Sequence, residues 1–290
     1  MICWVCESNN MFLYRRGKER IGAEDLRITD SKYGLTLPMY KCRDCGFLQC
    51  DTGDVSDLYE QLEDVEYIES SEQRKRQLGF LLRQTLPFIP VKDKSTTGAR
   101  ILDVGAGIGL FVQLAIEHGL EAQGIEPSAF LANYAVSHGL PVVNSSVPNY
   151  PPNSFDAVYM TDVVEHIADP ASLLLTYNKI LKSGGALFVT TPNVSSTLAR
   201  VMRNRWWSYR LEHIGYYNKK TLKRLMSRTG FDLKKYLPVK WYFTGEYVFE
   251  RLGQYIPFLR GKCCPKALKK LMIPISFGDD SILAVYIKGV

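Results

Sequence analysis

The chain has no run of about eighteen apolar residues, so nothing in it predicts a membrane-spanning helix. It opens Met1-Ile-Cys-Trp, without the basic stretch and apolar core of a secretory leader, and a cytoplasmic protein is expected. Charge of one sign is not in excess either. The net +6 is compatible with an acidic or phosphorylated partner, but nucleic acid is not the expected one. Seven cysteines in such a chain point to a metal or to chance before disulfides. What is present is ample core material: 46% of the 290 residues are hydrophobic, which suits one main domain with a small appendage.

Ile101-Leu-Asp-Val-Gly-Ala-Gly-Ile-Gly-Leu-Phe111 reads as a buried strand running into a glycine-rich turn that opens a helix. Gly105, Gly107 and Gly109 remove Cβ atoms where backbone must turn and approach a ligand. Phe111, Leu114 and Ala115 then fall on one helical face. Glu121-Ala-Gln-Gly-Ile-Glu126 is a second strand whose closing acid lies where a ribose-binding carboxylate is expected. A dinucleotide site spaces its glycines G-x-G-x-x-G, whereas here Asp103 precedes a G-x-G-x-G without lysine. This stretch resembles motif I of the class I methyltransferases, and the resemblance implies a pocket for S-adenosylmethionine, a cofactor without phosphate.

Four cysteines are patterned. Cys3-x-x-Cys6 and Cys42-x-x-Cys45 form two knuckles whose spacing lets paired thiolates reach one tetrahedral zinc ion. Residues 1–52 are therefore expected to be a zinc ribbon, with strands at Met39-Tyr-Lys41 and Phe47-Leu-Gln49 flanking the second knuckle. Such a lobe either grips nucleic acid or stiffens a unit too small to fold by burial alone. Cys50, Cys263 and Cys264 are read as ordinary residues. The basic run Arg15, Arg16, Lys18 and Arg20 is read as a solvated loop.

Residues 53–97 form a helical cap and linker. Leu58, Leu62 and Val65 share one predicted face, Leu78, Leu81, Leu82 and Leu86 another, and Pro87 and Pro90 end it. Residues 98–290 are expected to form the main domain, for which the resemblance implies an α/β Rossmann-like sheet of seven strands. Pro141–Asn144 is the third strand and Phe155–Met160 the fourth; Phe231–Tyr236 and Asp280–Lys288 are the sixth and seventh. His118 and His138 each precede a glycine at a helix end, where they favour the negative end of the helix dipole.

Past the fourth strand, Val164-Glu-His-Ile-Ala-Asp-Pro170 resembles the Glu-His-x-x-Asp-Pro segment of quinone-biosynthesis O-methyltransferases and sugar methyltransferases. Ser183-Gly-Gly-Ala-Leu-Phe-Val-Thr-Thr-Pro-Asn193 is similar to the glycine turn, fifth strand and Thr-Pro-Asn of the same group. The resemblance covers about residues 98 to 235. It implies that Asp103, Gly105, Gly107 and Glu126 hold the cofactor, that Ser146, Met160 and Thr161 meet its adenine, and that Tyr59 and Tyr67 line the site from the cap.

The acceptor region is expected at residues 194–217, where Arg200, Arg203, Arg205 and Arg210 accompany Trp206, Trp207 and Tyr209. These residues suit a phosphorylated or nucleotide-linked small molecule; equally, they suit a packed helix pair with solvated arginines. Glu212-His213 is similar to a Glu-His of zinc-containing deoxysugar C-methyltransferases, which implies His213 as proton acceptor with Glu212 orienting it. His166 either transfers protons or bonds a neighbouring loop. An insertion at residues 240–275 is expected to be a helical cover burying its aromatics on the sheet.

The expectation is methyl transfer from S-adenosylmethionine to a hydroxyl or activated carbon of a small molecule, with a sugar or nucleotide-sugar as the expected class. Two alternatives stay open: an RNA methyltransferase whose ribbon holds the strand, and a non-catalytic zinc-ribbon module on a degenerate methyltransferase fold.

Overall fold

The computed structural model describes residues 1–18, 34–51, 60, 63, 65–69, 71–90, 96–255, 258, 263–269 and 271–289. Arg20 of the basic run and Leu58, Tyr59 and Leu62 of the expected cap lie outside the described residues.

The N-terminal lobe contributes β1 (Met11–Arg15), β2 (Met39–Cys42) and β3 (Leu48–Cys50). Val65–Glu69 (α1) and Ser71–Thr85 (α2) follow. The main domain then alternates: β4 (Arg100–Val104), α3 (Leu110–Glu117), β5 (Glu121–Glu126), α4 (Ala129–Ser137), β6 (Val142–Asn144), β7 (Phe155–Thr161), α5 (Pro170–Ile180) and β8 (Leu181–Pro192). After α6 (Thr197–Met202) come β9 (Gly215–Tyr216), α7 (Lys219–Arg228) and β10 (Phe231–Leu237). The chain closes with β11 (Trp241–Thr244), α8 (Gly245–Tyr255), α9 (Lys266–Lys269), β12 (Met272–Ile275) and β13 (Ser281–Lys288).

The seven-stranded sheet runs β10-β13-β8-β7-β4-β5-β6. Strands β4 to β8 pair in parallel, and β13 inserts antiparallel between β8 and β10. The sheet reverses direction of growth at β4, between β5 and β7, so the carboxyl ends of these strands form the crevice where such sheets bind ligands. Parallel strands covered on both faces need continuous apolar runs. Ile101, Leu102 and Val104 are buried accordingly, as are Ala157, Val158, Tyr159 and Met160. In the β7–β8 pair the register jumps from Phe155↔Leu181 to Ala157↔Ala186. Lys182–Gly185 bulge out there, with Gly184 at φ +71°.

Helix ends follow local chemistry. Asn218 caps α7 by accepting from the Lys220 and Thr221 amides, and Thr221 Oγ1 accepts from the Asn218 amide in return. His118 and His138 turn Nδ1 back to the carbonyls of Leu114 and Tyr134 at 2.8 Å, in the helix-end role expected of them. Leu81 and Leu82 are buried, while Val65, on the other predicted cap face, is 59% exposed.

The lobe is not a separate bead. Strand β9, from the far side of the sequence, completes its sheet in the order β1-β2-β3-β9. Cys3, Val5 and Phe47 pack in one cluster with Leu102, Val158, Leu187 and Tyr217 of the main domain. The insertion also differs from the helical cover expected. Strands β11 and β12 pair antiparallel, Trp241↔Ile275 to Thr244↔Met272, and enclose α8 and α9 between them. Only the β-branched and aromatic residues of the two strands record that choice in the sequence.

Candidate active site

At the carboxyl end of β4 the chain turns through Gly105 and Gly107, both with positive φ (+69° and +54°). A Cβ on Gly107 would lie 2.6 Å from Tyr67 Oη, and one on Gly105 would lie 2.9 Å from Val163 Cγ2. No other residue fits both the backbone and the neighbours. Glu126, at the end of β5, accepts the Gly107 amide through Oε2 at 2.8 Å and the Ser128 amide through Oε1 at 2.8 Å. A carboxylate has about four lone-pair positions, so two remain for the paired hydroxyls of a ribose. Burial pushes the Glu126 carboxyl up while its two amide partners pull it down. Asp103 is raised well above the usual carboxylate range, first by burial and then by the Glu126 charge. The residues present thus fit an adenosyl cofactor: a turn without side chains and a carboxylate with acceptor capacity beside it.

Tyr67 of α1 closes over this turn, and the Arg74 guanidinium of α2 lies 3.6 Å from its ring centroid. Met160 is wholly buried, Thr161 half-buried at the end of β7, and Ser146 exposed on the loop after β6. Asp162 follows with φ +54°, an uncommon conformation for a residue with a side chain. It is held there by its amide donating to Thr190 O at 3.1 Å and to Thr190 Oγ1 at 2.9 Å. Thr190 Oγ1 donates to Asp162 Oδ1 at 3.0 Å. Nothing in the sequence marked this strained position. Asp162 and Thr190 also line a narrow cleft together with Phe80, Leu81, Val239 and Trp241.

His166 and His213 come together from segments far apart in sequence, with ring centroids 4.9 Å apart and planes at 78°. His166 Nδ1 bonds the Glu212 carbonyl at 2.8 Å, and His213 Nδ1 bonds the Ser208 carbonyl at 2.9 Å. A carbonyl only accepts, so each Nδ1 carries the proton, and in the neutral His213 ring Nε2 carries the lone pair. Burial pushes His166 down to about 4, and burial, His166 and Arg210 together hold His213 well below the usual range. Glu212 does not orient His213 through its carboxylate as expected: that group pairs with Arg210, and the Ser208 carbonyl orients the ring instead. Glu165, 1% exposed, has neither carboxyl oxygen hydrogen-bonded among the described residues. Its carboxyl and the two imidazoles offer ligand atoms within 4.8 Å of one another.

In the expected acceptor region Arg200, Arg203 and Arg205 are exposed, as the packed reading has them. Trp206 is fully buried and donates to Asp280 Oδ1 at 2.8 Å, so it is core. Arg15, expected to be solvated, instead places its guanidinium 4.9 Å from the Tyr209 ring and donates to Gly34 O.

In the lobe the cysteine Sγ atoms approach as Cys3–Cys45 at 3.5 Å and Cys6–Cys42 at 3.6 Å, and all four lie within 4.8 Å of one another. Four thiolates about 2.3 Å from one zinc ion stand roughly 3.8 Å apart, so this donor set fits a tetrahedral metal.

A family model described as "Methyltransferase domain" matches residues 71–236, more than half of the chain. The chain belongs to the class I S-adenosylmethionine-dependent methyltransferases. That match takes in the glycine turn, Glu126 and both buried histidines of the methyltransferase, and leaves the four cysteines outside. A ubiquinone biosynthesis O-methyltransferase of Xylella fastidiosa is 33% identical over 121 residues, 38% of this chain and 48% of that one. Phosphoethanolamine N-methyltransferase 3 of Arabidopsis thaliana is 30% identical over 118 residues, 38% of this chain and 24% of that one. The chain spans about half the length of the ubiquinone-biosynthesis relatives it matches. Among solved structures, a methyltransferase from Archaeoglobus fulgidus superposes with a TM-score of 0.51 at 20% identity, covering 78% of this chain and all of that one. The [4+2]-cyclase SpnF superposes at 0.50 and 19% identity over 74% of this chain and 81% of that one. These likenesses show the fold alone. No described helix is long and apolar enough to cross a membrane.

Proposed function

We propose that this methyltransferase acts on a hydroxyl or an activated carbon of a small molecule, with His213 as the group that takes the acceptor's proton and with zinc held by Cys3, Cys6, Cys42 and Cys45. The observation that carries the reading is the His213 ring, whose Nδ1 bonds the Ser208 carbonyl and whose Nε2 therefore carries the lone pair a proton acceptor needs. When bound, S-adenosylmethionine supplies an electrophilic methyl group on a sulfonium. Gly105, Gly107 and Glu126 hold its adenosyl part, and Met160 and Thr161 stand at the strand end beside it. Transfer is an in-line displacement, so the chain's main task is to align the acceptor and remove a proton from it.

The cleft from Asp162 to Trp241 is the acceptor's approach in this reading, and its apolar walls carry polar groups at Asp162, Thr190, Gln77 and Lys240. The sugar or nucleotide-sugar class rests on the resemblance of Glu212-His213 to the deoxysugar C-methyltransferases. Incubating the protein with methyl-labelled S-adenosylmethionine and a cell extract, then separating nucleic acid, lipid and small molecules, tests the reading. Label in the small-molecule fraction that disappears in His213→Gln supports it. Label in the nucleic-acid fraction would favour the RNA reading, and label in none the non-catalytic module.

A further inference from the structure

The molecule has four histidines, and they fall into two pairs. His118 and His138 are exposed at helix ends, whereas His166 and His213 meet half-buried, ring against ring. The main sheet supplies only half of what brings the second pair together. His166 stands on the turn after β7. His213 arrives on a segment whose next residue, Ile214, is gripped on both sides: its amide donates to Glu165 O at 2.8 Å, and its carbonyl accepts the Cys50 amide at 2.8 Å.

Cys50 ends β3, the strand that leaves the second cysteine knuckle. From there the ladder continues as Gln49↔Gly215 and Leu48↔Tyr216. Phe47, one residue earlier, packs its ring 4.8 Å from that of Tyr217. Gln49, 1% exposed, ties the first knuckle to the same strand, accepting the Trp4 amide and donating to Ile2 O at 3.0 Å each. Both knuckles therefore pull on one short strand, and that strand holds the residues immediately after His213. The bonds that shape the cofactor side, by contrast, run from Gly107 and Ser128 to Glu126 and involve no residue of the lobe.

We infer that the four-cysteine lobe is a positioning device for His213: it clamps Ile214–Tyr216 against the turn that carries His166, so the metal it binds governs acceptor-side chemistry and leaves cofactor binding alone. This rests on the reading of His213 as the acceptor's proton acceptor. A ribbon that only stiffened itself would need no strand from residue 215, and one that gripped nucleic acid would gain nothing from placing that strand next to a histidine pair. A two-residue strand is too short to stand without its neighbour, so loss of the lobe's order frees the histidine segment.

The test compares the full zinc-loaded chain with the chain stripped by a chelator, using three readouts. S-adenosylmethionine affinity by calorimetry should stay within about twofold, because no lobe residue bonds the glycine turn or Glu126. Turnover should fall by at least about tenfold, as expected when a reacting group is displaced. In the histidine ring NMR spectrum two signals should resist protonation in the zinc-loaded protein and titrate ordinarily after stripping, with His118 and His138 unchanged. Glu165, Glu212 and Arg210 face the buried pair and set its field in the loaded protein. Unchanged buried-histidine signals and turnover after metal removal would overturn the inference, and so would loss of cofactor affinity in step with turnover. Should the stripped chain unfold, Phe47→Leu decides, since it keeps all four cysteines and loosens the ring's contacts with Tyr217, Trp4 and the Gly215 strand. Its zinc content and cofactor affinity should hold while the two histidine signals move and turnover falls; native signals with native turnover would overturn the inference. His213→Gln separates the two ideas: full turnover in that variant removes the proton-acceptor reading, while the NMR result still judges the clamp.

Discussion

Gly107 donates its amide to Glu126 Oε2 at 2.8 Å, so the turn after the first main-domain strand and the acid at the end of the second are one unit. Neither works without the other. The carboxylate fixes the turn, and the turn holds the carboxylate where two further donors can reach it.

Gly107→Ala should therefore abolish cofactor binding with a modest loss of stability. The new Cβ meets Tyr67 Oη at 2.6 Å, and the left-handed backbone costs an L-residue about 1–2 kcal/mol. Calorimetry with S-adenosylmethionine and a thermal melt check both halves. Gly139→Ala serves as control, since its φ is +74° but nothing lies within 4 Å of the added atom. It should lose similar stability and keep the cofactor.

The buried histidines predict a pH dependence of stability. The folded-state value for His166 lies at about 4, below the unfolded value of about 6.5, so the unfolded chain takes up more protons between these limits. The stability that comes from keeping this ring neutral is complete above about pH 6.5 and is lost as pH falls toward 4, about 3 kcal/mol in all. Asp103 and Glu126, with raised values, act in the opposite sense. The stability difference between wild type and His166→Gln cancels their part. Urea unfolding at several pH values should show that difference shrinking between pH 6.5 and 4; a constant difference would contradict the burial of the ring.

Cys45→Ser should release the metal and lower the melting temperature, because four donors within 4.8 Å are a closed structural set. Metal analysis should find about one zinc ion per wild-type chain and little in the variant.

Thr190→Val removes the hydroxyl that donates to Asp162 Oδ1 and receives the Asp162 amide. Asp162 then keeps a strained φ with fewer restraints, and acceptor KM should rise while S-adenosylmethionine affinity stays close to wild type.

Much of this was legible in the sequence, and for local reasons. The glycine turn, Glu126, the knuckles and most main-domain strands announce themselves through spacing within a few residues. The β9 strand was not legible, because Gly215-Tyr216 is too short to show a period and its partner lies about 165 residues away. The resemblance to the deoxysugar C-methyltransferases gives the Glu212 carboxylate to His213, yet Arg210 takes it. Residues 210 and 212 could meet only because the loop's path turns them together, which no periodicity records. The β11–β12 pair was hidden for a related reason: its aromatics suit a helix face and a strand equally well.

The most direct test of the account is calorimetric titration of S-adenosylmethionine into the full chain and into Glu126→Ala. The account predicts saturable binding to the wild type and a loss of at least about tenfold in the variant, since charge-assisted hydrogen bonds of about 1.5–3 kcal/mol disappear and two amides are left unpaired. No binding to the wild-type chain, or equal binding to both, would contradict it.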